Sequence, residues 1–166
     1  MEISQLDIKK LAFHSRPIPI PVDYRPLYKI ALITLILNFC CREEKSTLLK
    51  LHLFSWTLKS EENTQKLFDF INANFTSEFS VWGIEPALNR ALQYAVADNI
   101  CEVINGKYYK LTEKGAVFFQ MIKKDKDLFV TEKAILQFIG KNKITDKRIG
   151  LMSKKWSKFY AENSSN

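Results

Sequence analysis

Few residues in this 166-residue chain could act as catalysts or metal ligands, and their spacing works against both roles. The histidines are His14 and His52, and the cysteines are Cys40, Cys41 and Cys101. A metal centre needs ligands gathered at spacings such as Cys-x-x-Cys, and no such cluster is present. Cys40 and Cys41 are adjacent, so on a helix their side chains diverge by about 100° and make poor joint ligands. There is no glycine-rich nucleotide loop, no Walker A sequence, no GxSxG elbow and no HExxH pair. His52 lies in the apolar run LLKLHLFSW, where a hydrogen-bonded core histidine is the expected reading rather than a general base. The expectation is a protein that is not an enzyme, with no catalytic residues, no cofactor and no metal. Three cysteines inside apolar sequence read as reduced thiols of a cytoplasmic protein.

The other chemistry on offer is positive charge. Lys and Arg number 25 against 18 Asp and Glu, a net charge of +7. Residues 1–122 carry 14 basic and 13 acidic residues, whereas residues 123–158 carry 11 basic and four acidic. The surplus therefore sits in the C-terminal third, and candidate phosphate contacts are Lys141, Lys143, Lys147, Arg148, Lys154, Lys155 and Lys158. A solvated lysine surface, or one matched to an acidic protein, is the bland alternative.

Positioning these residues requires elements, and the hydrophobic pattern supplies them. Residues 16–26, RPIPIPVDYRP, alternate Pro with Ile and Val, which forbids helix and favours an extended arm. Residues 27–41 read as a helix apolar nearly all round, hence central. Residues 46–59 form a second helix with Ser46 as N-cap, and Ser60 caps a third, whose apolar stripe is Leu67, Phe68, Phe70 and Ile71. In 84–98 the apolar face is Ile84, Leu88, Ala91, Leu92, Ala95 and Val96. Two short β-prone runs flank Asn105–Gly106, a hairpin signal because a type I′ turn needs positive φ at both centres. Thr112 caps the next helix. Segments 127–139 and 143–160 follow as helices, signalled by Thr131 and by Thr145 with Asp146. Their stripes are Ile135, Phe138 and Ile139, then Ile149, Met152, Trp156 and Tyr160.

The fold class expected is mainly α with a small β-hairpin, a winged-helix-like domain plus C-terminal helices. The domains are an extended Pro-rich arm over 1–26, the winged-helix-like domain over 27–122, a basic helical segment over 123–160 and a frayed tail over 161–166. No secretory signal opens the chain. The longest apolar run, Leu27–Cys41, is too short and too polar for a bilayer span of about 20 residues, so no membrane partner is expected.

A winged helix brings DNA to mind, yet the polar face of 84–98 holds only Glu85, Asn89, Arg90, Gln93 and Ala97. Base reading needs phosphate contacts to hold its register, and the wing offers only Lys107 and Lys110, opposed by Glu102. A winged-helix DNA-binding transcriptional regulator is therefore the alternative, and a protein-docking scaffold is preferred.

The run RPLYKIALITLILNFCCREEKSTLLKLHLFSWTLKSEEN, then EPALNRALQYAVADNI and KYYKLTEKGAVFF, resembles the middle component of bacterial ABC-three-component systems. That group includes the accessory subunit of Lamassu-type anti-phage defence. The resemblance covers about residues 16–122, and its most specific pieces are Arg25-Pro26-Leu27, Lys50-Leu51-His52 through Trp56, and Asn89-Arg90-Ala91-Leu92. It implies a non-enzymatic subunit that docks on an SMC-like ATPase and a nuclease-like effector. Arg25, Trp56, Asn89, Arg90 and Gln93 become docking candidates. The basic segment lies outside the matched part, and nonspecific contact with double-stranded DNA is expected there from charge alone.

Overall fold

The computed structural model describes residues 21–77 and 83–163, so the expectations for residues 1–20, 78–82 and 164–166 lie outside it. The described residues form seven α-helices and one small antiparallel sheet. Helix α1 (Pro26–Cys40) begins with Pro26, whose missing N–H would be unsatisfied there in any case. Every residue from Lys29 to Leu37 is buried, and α1 is the axis on which four of the other helices pack. Burying each of its Leu and Ile side chains from Ile30 to Leu37 contributes about 1.5–3 kcal/mol, so α1 is the main apolar anchor of the fold.

A turn through Glu43 and Glu44, both with positive φ, reverses the chain into β1 (Lys45–Thr47). This strand corrects the expectation that Ser46 caps a helix. Ser46 is buried in the sheet opposite Tyr109, and α2 (Leu48–Thr57) starts after Thr47, which makes no side-chain cap bond. The physical reason is the open edge of the hairpin formed by β2 (Cys101–Ile104) and β3 (Tyr108–Leu111). Its backbone groups need partners, and β1 supplies them, giving the order β1-β3-β2. The hairpin itself forms as its turn residues require, with Asn105 at φ 53° and Gly106 at φ 62°.

Helix α3 (Glu61–Asn72) is capped by Ser60, whose hydroxyl accepts from the Asn63 N–H at 3.1 Å. Helix α4 (Pro86–Ala97) buries Leu88, Ala91, Leu92 and Ala95 as expected, but Ile84 precedes the helix and is 76% exposed. Helix α5 (Glu113–Lys124) is capped by Thr112, which accepts from the Gly115 N–H at 3.0 Å. Gly115 packs on the Ile100 carbonyl, so closely that no Cβ fits.

Helix α6 (Val130–Lys143) packs on α1, and Cys40 Sγ donates to the Leu136 carbonyl at 3.3 Å. Thr131 does not cap it. The N-cap is Phe129 in the left-handed region, fixed by stacking on Tyr28 with centroids 5.2 Å apart. Lys133 ties the same entry by donating to the Ile122 and Asp125 carbonyls at 2.6 Å each. Gly140, at φ 63°, breaks α6 where the apolar stripe ends. Within that stripe Phe138 is 60% exposed, lying against Phe68 at 5.0 Å with the Lys143 ammonium 3.9 Å over its ring. Helix α7 (Asp146–Asn163) reaches beyond residue 160, and Thr145 accepts from the Arg148 N–H at 3.3 Å. Leu136, Ile139, Ile144, Ile149 and Met152 belong to the same core as α1. The side chains of Trp156, Lys158 and Tyr160 lie outside the description. Among the described residues no helix is long and apolar enough to cross a membrane.

Candidate functional site

The most unusual chemistry in the structure is a lysine inside the apolar axis. Lys29 is fully buried, and its ammonium meets Glu85 Oε1 at 2.8 Å, Ser55 Oγ at 3.1 Å and Asp23 Oδ1 at 3.4 Å. Ser55 in turn donates to Glu85 Oε2 at 2.6 Å, and Lys59 reaches Glu85 Oε1 at 3.4 Å. Burial alone would raise the Glu85 carboxyl pKa. The Lys29 and Ser55 hydrogen bonds and the charges of Lys29 and Lys59 outweigh it and hold the carboxyl below its usual value.

His52 extends the same network. The Glu85 backbone N–H donates to Nδ1 at 3.1 Å, so Nδ1 carries the lone pair. Nε2 then carries the proton and donates to Asn89 Oδ1 at 3.0 Å. Burial lowers its pKa and keeps the ring neutral. Both ring nitrogens are committed, which matches the expectation of a hydrogen-bonded core histidine. Ser55 is likewise fixed between Lys29 and Glu85. The network joins α1, α2 and the start of α4. Its geometry fastens elements and leaves no free base or nucleophile within it.

Beside the network a cleft of about 490 Å³ opens to solvent. Tyr24, Pro26, Trp56, Ile84, Pro86 and Ala87 give it apolar walls, and Lys59, Glu85 and Arg90 give it charge. Trp56 is half-buried and packs on the core, so it is both structural and part of the wall. Arg90 is exposed and makes no ion pair among the described residues.

The predicted docking residues divide accordingly. Trp56 and Arg90 come together at the cleft, with Arg25 next to its wall residues Tyr24 and Pro26. Gln93 is exposed further along α4, and Asn89 turns inward to His52. Glu85, placed by sequence on an open polar face, has only 11% of its side chain exposed. Sequence reasoning missed Lys29 and Ser55 as partners of Glu85, Asp23 as a second anion on Lys29, and Tyr24 as a cleft wall. The available signal was the charge at Lys29 within an all-apolar helix, which must find a counter-ion.

The basic residues also divide. Lys143 donates to the Phe138 carbonyl at 2.6 Å, while Arg148 donates to the Lys143 carbonyl at 2.6 Å and stacks 4.4 Å over Phe75. These two build the α6–α7 junction. Lys141, Lys147, Lys154 and Lys155 are exposed, and Lys141 lines a shallow recess with Arg42, Glu43, Lys45, Thr145 and Asp146. On the sheet, Lys110 sits between Lys45 on β1 and Glu102 on β2. Lys45 and Lys107 both lie over the Tyr108 ring, at 5.6 and 5.3 Å. Lys45 and Tyr108 were not foreseen.

Among the described residues no group of His, Cys, Asp and Glu could hold a metal ion. Cys40, Cys41 and Cys101 are free and buried, and burial raises all three thiols, Cys101 to about 12. They are thiols rather than thiolates at neutral pH. Compared with known proteins, the chain matches no family model, no curated protein and no solved structure.

Proposed function

We propose that this chain is a non-enzymatic accessory subunit that docks on an SMC-like ATPase and its effector in an anti-phage defence complex. The observation that carries the reading is the fate of the α4 polar face. Glu85 and Asn89 are consumed by Lys29 and His52, so Arg90 and Gln93 are the polar side chains left to meet a partner. Such a helix is poorly equipped to read bases, and the apolar cleft at its start suits a protein segment instead. The sheet order β1-β3-β2, with a strand between the first two helices joining a later hairpin, supports a winged-helix-like scaffold. The resemblance over residues 16–122 supplies the kind of partner. Exposed Lys141, Lys147, Lys154 and Lys155 support nonspecific contact with DNA phosphates as a second, separate surface.

Co-expression with an SMC-like ATPase of a three-component defence system tests the reading. The expected result is one complex that co-elutes from a sizing column at micromolar concentration. Separate elution of the two proteins would refute it.

A further inference from the structure

The cleft between Tyr24, Trp56 and Arg90 has a composition that specifies its occupant. Its volume of about 490 Å³ falls within the range of about 300–1,000 Å³ typical of built binding sites. Tyr24 is 67% and Ile84 76% exposed, so large apolar side chains stand open on its walls rather than closing over one another. Its cations outnumber its anions. Lys59 and Arg90 line it, against Glu85 alone. Glu85 and Asp23 are spent on Lys29, which leaves Arg90 unpaired at the mouth and Lys59 shared at 3.4 Å. An aromatic wall with an arginine at its edge is the composition enriched at the centre of protein interfaces. A phosphate backbone fits less well, because it brings no apolar side chains to lie against the exposed Tyr24 and Ile84 walls.

We infer that this cleft binds a short linear peptide segment of the partner protein, carrying apolar side chains flanked by carboxylates. The apolar side chains lie against Tyr24 and Ile84, and a carboxylate pairs with Arg90. This deepens the docking reading and rests on it for the partner's identity, though not for the chemistry of the cleft.

The test uses the full chain and fluorescein-labelled synthetic peptides that alternate leucine with glutamate, or leucine with lysine, read by anisotropy. The glutamate peptide is expected to bind and the lysine peptide not. Arg90→Glu, at an exposed position, should weaken binding about tenfold or more without moving the thermal midpoint. Ala87→Trp, which fills the cleft, should abolish it. Equal binding of both peptides, or unchanged binding to Arg90→Glu, would overturn the inference. So would no binding of either peptide together with a crosslink from a photoreactive residue at position 87 to residues 1–20, since the occupant would then be the chain itself. If the wild-type chain co-elutes with the ATPase but the peptide does not bind, the cleft inference fails alone. If the peptide binds with no ATPase complex formed, the docking reading fails alone.

Discussion

Replacing Glu85 by Gln removes the carboxylate that neutralises a lysine with no other buried anion near it. Breaking a buried ion pair by deleting one partner costs about 3–5 kcal/mol, because the remaining charge stays desolvated. Here two features lower the figure. Ser55 still accepts from Lys29, and Asp23 remains 3.4 Å away on a side chain 40% exposed. The expected loss is therefore about 2–4 kcal/mol, which for a chain of this size lowers the melting midpoint by roughly 5–12 °C. Lys29→Met should cost less, about 1–2 kcal/mol, since its thioether fills the stem volume and Glu85 keeps Ser55 and Lys59. In the double variant both charges are gone. It should be more stable than the sum of the single losses by about 1.5–3 kcal/mol. Urea unfolding followed by circular dichroism measures all four corners of the cycle. Additivity within about 0.5 kcal/mol would refute the claim that the two charges neutralise each other. The pH dependence provides a second check. Because the folded carboxyl titrates below its unfolded value, its contribution is full above the usual carboxylate pKa of 4.5 and is lost as pH falls through the depressed value. Glu85→Gln should lose that acid limb.

Three further outcomes are expected. His52 is held neutral with a pKa below its ordinary 6.5, so it also contributes stability that is full above that value and declines as pH falls below it. His52→Gln keeps one acceptor and one donor and should flatten this slope between about pH 7.5 and 5.5; an unchanged slope would show that another group titrates. Gly115→Ala drives a Cβ into the Ile100 carbonyl and the Leu111 side chain and should cost about 3 kcal/mol in a thermal melt, where a loss under about 1 kcal/mol would contradict the packing. Contacts to about four phosphates predict a log–log salt slope near −3.6 for generic duplex DNA, and reversing Lys147, Lys154 and Lys155 to Glu should flatten it to near −1. A wild-type affinity indifferent to salt would refute the phosphate surface.

The helices were readable because their signals are local. Pro26, Ser60 and Thr112 each satisfy or excuse backbone groups within three residues, and Asn105–Gly106 dictates its own turn. What escaped the sequence depends on distant partners. Lys45–Thr47 is a strand only because β3, more than 60 residues later, presents an unpaired edge. Phe129 overrides Thr131 as the cap because Tyr28, a hundred residues earlier, stacks on its ring. The buried network has the same origin, since Ser55 and Glu85 lie 26 and 56 positions from Lys29 and helical periodicity cannot pair them. Periodicity instead assigned Glu85 to solvent, because it counted residues around α4 and could not see the lysine opposite.

That misplacement matters for how the two charged surfaces are understood. Counting Glu85 as an exposed anion makes the start of α4 look electrically neutral, with Arg90 merely cancelling it. Once Glu85 is paired inward with Lys29, Arg90 is an uncompensated cation at the mouth of an apolar cleft. The basic C-terminal third changes in the opposite direction. Lys143 and Arg148 are committed to carbonyls and rings at the α6–α7 junction, so fewer cations remain to meet phosphate there than the raw charge suggests. The exposed cations of α4 and of the C-terminal helices therefore have different surroundings. Lys141, Lys147, Lys154 and Lys155 are exposed to solvent, suited to a diffuse polyanion such as duplex DNA. The cation at the cleft stands beside Trp56 and Ile84, where desolvation strengthens a single ion pair and apolar burial adds affinity. In the proposed reading the ATPase and the nucleic acid meet different faces of one core, and mutations separating the two functions belong at Arg90 and at Lys154.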